Sequence, residues 1–99
     1  MTIRVQINCQ EYTIKEGKRY PSLNTIRLII PKNWNCKSVK LIEMNESYDL
    51  SIEGDMKFFD FELVGDVLTR DVNIDSHKGT QYVYIPLKYE GSHMLIIPL

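Results

Sequence analysis

Period-two alternation of apolar and polar residues sets the terms for this chain. In "TIRVQIN", Ile3, Val5 and Ile7 fall on one face, with Arg4 and Gln6 on the other. That is the pattern of a half-buried strand. "NTIRLII" groups Ile26, Leu28 and Ile30, "YDLSI" alternates again, and "FFDFELV" sets Phe59, Phe61 and Leu63 against Asp60 and Glu62. "SVKLIEM" is apolar on both faces and so reads as a more deeply buried strand. "EYTIK" follows the first strand through "NCQE", a link short enough for a hairpin. "QYVYIPLKY" and "MLIIPL" close the chain as strands, and "DVLTRDVNI" fits a strand or one or two helical turns.

The punctuation agrees with many short strands. Gly17, Gly54, Gly65, Gly79 and Gly91 mark the turns. Three strands run into Ile-Pro, at Pro31, Pro86 and Pro98, and proline without an N–H belongs at strand ends or on edges. A proline is well tolerated in a first helical turn, so one short helix is expected after Pro31. The expected fold is therefore mainly β (or α+β with little helix), with about eight short strands in a single compact domain over residues 1–99. The chain has no alanine and twelve isoleucines, which lowers helix propensity and raises strand propensity. No apolar stretch reaches the roughly 18 residues of a membrane helix, and the start has no long apolar core of the signal-peptide kind. A soluble protein that stays in the cell making it is expected.

Charge is unevenly distributed. Residues 1–42 carry eight Lys/Arg and two Asp/Glu, a net of +6, and residues 43–99 carry four and eleven, a net of −7. Such a division is compatible with a basic surface for a polyanion, with charge pairing across strands, and with head-to-tail self-association. The basic and acidic segments are not separate domains.

Sites for chemistry are sparse. Two cysteines and two histidines (Cys9, Cys36, His77, His93) do not have zinc-site spacing. The cysteines are either free thiols, the ordinary state in a cytosol, or a disulfide, which a hyperthermophile's cytoplasm permits. Asp60 and Glu62 share a strand face near Asp55 and Asp66, but paired acids on an outward face are ordinary. No nucleophile–base pair, phosphate loop, metal site or cofactor site is legible, so neither an enzyme nor a small-molecule substrate is expected. Tyr82 and Tyr84 stand side by side on one face of their strand and, with Trp34, are candidates for a protein interface.

Within "IRLIIPKNWNCKSVKLI", Ile26, Leu28, Ile30, Pro31, Lys32, Trp34, Val39, Lys40 and Leu41 resemble the signature of swapped-hairpin transcription regulators and antitoxins. Two features depart from it: Cys36 replaces the usual turn glycine, and "PSLN" replaces the usual Gly-Asn segment. The resemblance implies an intertwined DNA-binding dimer with Trp34 in the dimer core. It makes Lys32 and Arg27 phosphate-contact candidates; with Lys37 and Lys40 they flank or fill the Pro31–Trp34 connection, so the four are expected to share one DNA-contact patch. The chain as a whole resembles the small proteins encoded by Acidianus filamentous virus and related filamentous DNA viruses of hyperthermophilic archaea. That resemblance implies a viral protein in the cytoplasm of a hot archaeal host, or in the virion, and carries no functional residues. The two functional expectations are a non-enzymatic accessory protein acting through protein–protein contacts, including self-association, and a swapped-hairpin-like DNA-binding regulator.

Overall fold

The computed structural model of the chain describes residues 2–8, 11–19, 21–22 and 24–99. The chain is mainly β. Its elements are β1 (Thr2–Asn8), β2 (Thr13–Glu16), β3 (Ile26–Ile30), β4 (Ser38–Glu53), β5 (Met56–Asp71), β6 (Asn73–Ile74), β7 (Gln81–Ile85), a 3₁₀ turn (Leu87–Tyr89) and β8 (His93–Pro98). One sheet has the order β1-β5-β4-β8-β2 and the other β3-β7-β6. All pairings are antiparallel.

The hairpin of β4 and β5 is the spine. Gly54 and Asp55 form its two-residue loop, and Gly54 has φ +62°, which suits the first position of such a loop. Each of the two strands runs for 16 residues, about 50 Å if straight, yet the longest dimension of the molecule is 40 Å. Two offsetting irregularities break the ladder. Residues 64–66 stand against Glu43, and residues 45–47 stand against Glu62. The register is the same on both sides of this joint, Ser38↔Asp71 to Ile42↔Val67 and Tyr48↔Phe61 to Glu53↔Met56. Irregularities of this kind bend strands and raise twist. Gly65 lies inside the joint rather than in a turn, and a Cβ there would overlap the Glu43 carboxylate.

The bend lets the large sheet enclose one core by itself. The Tyr12 and Phe59 rings meet edge to face at 4.9 Å, although β2 and β5 are separated by β8 and β4. In a flat sheet that separation would be ~14 Å. The concave face holds Ile7, Ile42, Met44, Phe59, Phe61, Leu95 and Ile97. The convex face presents Val39, Leu41, Met94 and Ile96 to Ile26, Leu28, Ile30, Val83 and Ile85 of the small sheet, with Trp34 and Tyr89 in the same core. Residues 94–97 of β8 are all buried because this strand lies between both cores. The same position explains the two-faced apolar run "SVKLIEM".

Three expectations are corrected. β1 and β2 do not pair with each other; they lie at opposite edges of the large sheet, β1 on β5 and β2 on β8. A short link fixes only the distance between strand ends, and curling brings the two edges together. Pro31 starts a single turn, closed by the Trp34 N–H to the Pro31 carbonyl at 3.1 Å, and no helix follows. The buried Gln81 side-chain amide donates toward the carbonyls of Pro31, Lys32 and Trp34 at 3.1, 3.2 and 3.0 Å. Those carbonyls are thereby satisfied without a helical ladder. The segment "QYVYIPLKY", expected as one strand, breaks at Pro86, after which residues 87–89 form the 3₁₀ turn.

Candidate binding surfaces

The outward face of the small sheet gathers Arg27 and Ile29 from β3 with Tyr82 and Tyr84 from β7. The register pairs Arg27 with Tyr84 and Ile29 with Tyr82. Alternation places these residues opposite the buried Leu28, Val83 and Ile85. The Arg27 guanidinium lies 4.0 Å from the Tyr82 ring centroid, and Tyr82 meets Tyr84 at 5.3 Å, nearly edge to face. Ile29 and Tyr84 are 43% and 38% exposed, which leaves this ladder open to a partner. The two tyrosines therefore adjoin as the alternation of "QYVYI" implies.

Trp34 sits elsewhere. It is 5% exposed and belongs to the core between the two sheets, so within one chain it is a packing residue. Its surroundings form a shallow cleft that Glu11, Asn33, Asn35 and Leu99 help to line. Cys36 is half-buried at that cleft, and burial pushes its thiol pKa up. The alternative of a Cys9–Cys36 bond falls outside the described residues, because Cys9 does.

The four basic candidates divide among three places. Arg27 is on the outward face of the small sheet. Lys32 and Lys37 are exposed on the connection between β3 and β4. Lys40 is paired with Ile97 and Thr69, on the concave side of the large sheet. The core that separates the sheets, about 10 Å thick, stands between Arg27 and Lys40. A shared patch thus contains at most Lys32 and Lys37 with one further neighbour.

The acids are engaged with neighbours. Arg4 donates to both Asp60 oxygens at 2.7 and 3.1 Å, and this holds the Asp60 carboxyl below its ordinary range. Thr2 donates to Glu62 at 2.8 Å. Asp66, beside the joint in β5, accepts from the Tyr89 hydroxyl at 2.6 Å and from Lys88 at 3.0 Å. Those two bonds lower its pKa, and the bond to Asp66 together with burial raises that of Tyr89. Ser92 donates to Glu43 at 2.6 Å on the neighbouring strand. This group ties the 3₁₀ segment to the bend. Among the described residues, no set of three His, Cys, Asp or Glu side chains is placed to hold a metal ion, and no helix is long and apolar enough to cross a membrane.

Sequence reasoning missed Tyr48, Leu50 and Ile52. They share the face of Phe59 and Phe61, being paired with Phe61, Phe59 and Lys57, yet they are 41%, 43% and 64% exposed. The alternation of "YDLSI" grouped them correctly. What periodicity lacked was any sign that the face is left partly uncovered at that edge. No protein-family model, no curated protein and no solved structure matches this chain.

Proposed function

We propose that the chain is a small, virus-encoded, non-enzymatic binding protein, and that it acts through protein–protein contacts on the outward face of the small sheet. The Arg27–Tyr82–Tyr84 ladder carries this reading. Tyrosine and arginine are among the side chains that concentrate interface energy, and tyrosine gives large contact area with few rotors to immobilise. Ile29 adds apolar area beside them. The whole-chain resemblance to filamentous archaeal virus proteins supports an accessory role in the host cytoplasm or in the virion.

A second reading, duplex binding by the basic segment, has Lys32 and Lys37 in its favour, since both are exposed, Lys32 within the Pro31–Trp34 turn and Lys37 just after it. The separation of Arg27 from Lys40 weakens it.

Photo-cross-linking from position 29, on the same face as the two tyrosines and 43% exposed, in producing cells, with the Tyr82→Ser/Tyr84→Ser chain carrying the same label as control, tests the choice. A discrete protein adduct that the double variant loses is expected. Labelled duplex should bind no tighter than about micromolar at moderate salt. Nucleic-acid adducts would instead favour the DNA reading. So would tighter binding whose log–log salt slope falls by about 2 in Lys32→Ala/Lys37→Ala.

A further inference from the structure

The far half of β4 is an open edge with an apolar face. On one side β4 is paired with β5 out to Glu53. On the other side β8 accompanies it only from Val39 to Met44. Among the described residues no strand pairs with the second edge of residues 48–53. The two-residue loop makes Glu53 and Met56 a narrow, hydrogen-bonded pair, so narrow pairs recur at 51/58 and 49/60. The backbone N–H and C=O groups of Tyr48, Leu50 and Ile52 therefore point away from β5, toward the open edge. Exposed edges are ordinarily guarded by lysine, proline or an inward charge. Here the three residues on the apolar face carry none of these.

We propose that this edge pairs antiparallel with the same edge of a second copy of the chain, with a two-fold axis through Leu50. The occupant follows from the charges of the segment. Residues 47–53 hold two acids, Asp49 and Glu53, and no cation. Three two-fold registers keep the outward-pointing backbone groups paired and centre on this stretch. Centring on Asp49 sets Asp49 against Asp49 of the second copy. Centring on Ser51 sets Asp49 against Glu53. Centring on Leu50 sets Asp49 against Ser51 and Ser47 against Glu53, with no like charges opposed. Like charges directly opposite destabilise a strand pair, so the sequence selects the Leu50 register. In it, Leu50 exchanges both backbone hydrogen bonds with Leu50 of the second copy, and Tyr48 does the same with Ile52 on each side. Each Tyr48–Ile52 contact is an aromatic–β-branched pair, a favoured cross-strand combination. The apolar faces of the two copies become one surface. The contact is isologous and closes at two copies. It rests on the β4 edge and not on the tyrosine ladder, so either proposal can fail alone.

Light scattering at 1–200 µM, with cross-linking of single-cysteine chains, tests it. The natural chain is expected at twice its 11.6 kDa mass. Leu50→Lys sets two cations against each other on the axis and should weaken association about 100-fold or more. Circular dichroism of that variant should be unchanged, since position 50 is exposed. In a chain with Cys9→Ser and Cys36→Ser, Leu50→Cys should oxidise to a covalent dimer. The Cα atoms of a narrow pair lie about 5.5 Å apart, within disulfide reach. Asp49→Cys should not cross-link, because it faces Ser51. A monomer at 200 µM, mass that keeps growing past two copies, or cross-linking by Asp49→Cys but not Leu50→Cys would each overturn the proposal.

Discussion

Replacing Gln81 with methionine isolates one buried amide. The side chain is 8% exposed, and its Nε2 faces the carbonyls of Pro31, Lys32 and Trp34 at 3.1, 3.2 and 3.0 Å. An amide has two hydrogens, so the three contacts amount to about two full hydrogen bonds. Methionine nearly matches the volume, so no large cavity complicates the comparison. Each buried acceptor left unpaired costs about 1–3 kcal/mol. The Trp34 contact is fully buried and the other two partly so, and water can reach the latter. The expected loss is therefore about 2–4 kcal/mol. Guanidinium unfolding followed by Trp34 fluorescence measures it, since Trp34 is the single tryptophan and is buried. Gln81→Glu supplies a pH signature. A carboxylate facing three carbonyls has its folded pKa raised, so its penalty is absent below the unfolded value, about 4.3. The penalty grows as pH rises above that value. If Gln81→Met lies within about 0.5 kcal/mol of the natural chain, the size of an ordinary surface change, the amide does not hold the Pro31–Trp34 turn and the reasoning fails.

Gly17→Ala should destabilise by about 1–3 kcal/mol, the range for overpacking, because its Cβ would fall on the Tyr89 backbone carbonyl; thermal unfolding measures this. Asp66→Asn should flatten the acid limb of a stability–pH profile. The folded pKa of Asp66 is depressed by Tyr89 and Lys88, so its contribution is present above the unfolded value of about 3.9 and is lost as pH falls through the lower folded value. Tyr82→Ser/Tyr84→Ser should leave the circular-dichroism spectrum unchanged while abolishing the cross-link made from position 29.

Much of the strand content was legible because alternation reports which side of a backbone meets the core. The Ile-Pro ends of β3, β7 and β8 and the Gly54 loop were equally local facts. The joint in the central hairpin was not legible. Two slips of opposite sense leave the alternation in phase on either side, so it carries no sign of the joint, while the polar "NES" at 45–47 makes "SVKLIEM" and "YDLSI" look like separate strands although they are one. Gly65 was the available sign, since glycine inside a strand marks a bulge or a close approach. The missing β1–β2 pairing has the same origin. Only the bend makes a short link span opposite edges of a five-stranded sheet.

The candidate surfaces follow from that joint as well. With a straight hairpin, a neighbouring strand could have continued beside β4 past Met44, and Tyr48, Leu50 and Ile52 would have been internal positions. The bend turns the base of the hairpin toward β8 and β2 and its tip toward β1, so each half of the sheet has its third strand on a different side of the hairpin. One free edge at the tip is the geometric remainder. The sequence treats the two faces of that remainder differently. One carries Asp49 and Glu53; the other carries three apolar side chains exposed well beyond what a finished core needs. An edge kept only for solubility would have a charge among those three positions. Its absence beside an acid pattern that excludes two of three self-pairings is a reason to look for the function of this protein in association, at an edge separate from the tyrosine ladder of the small sheet.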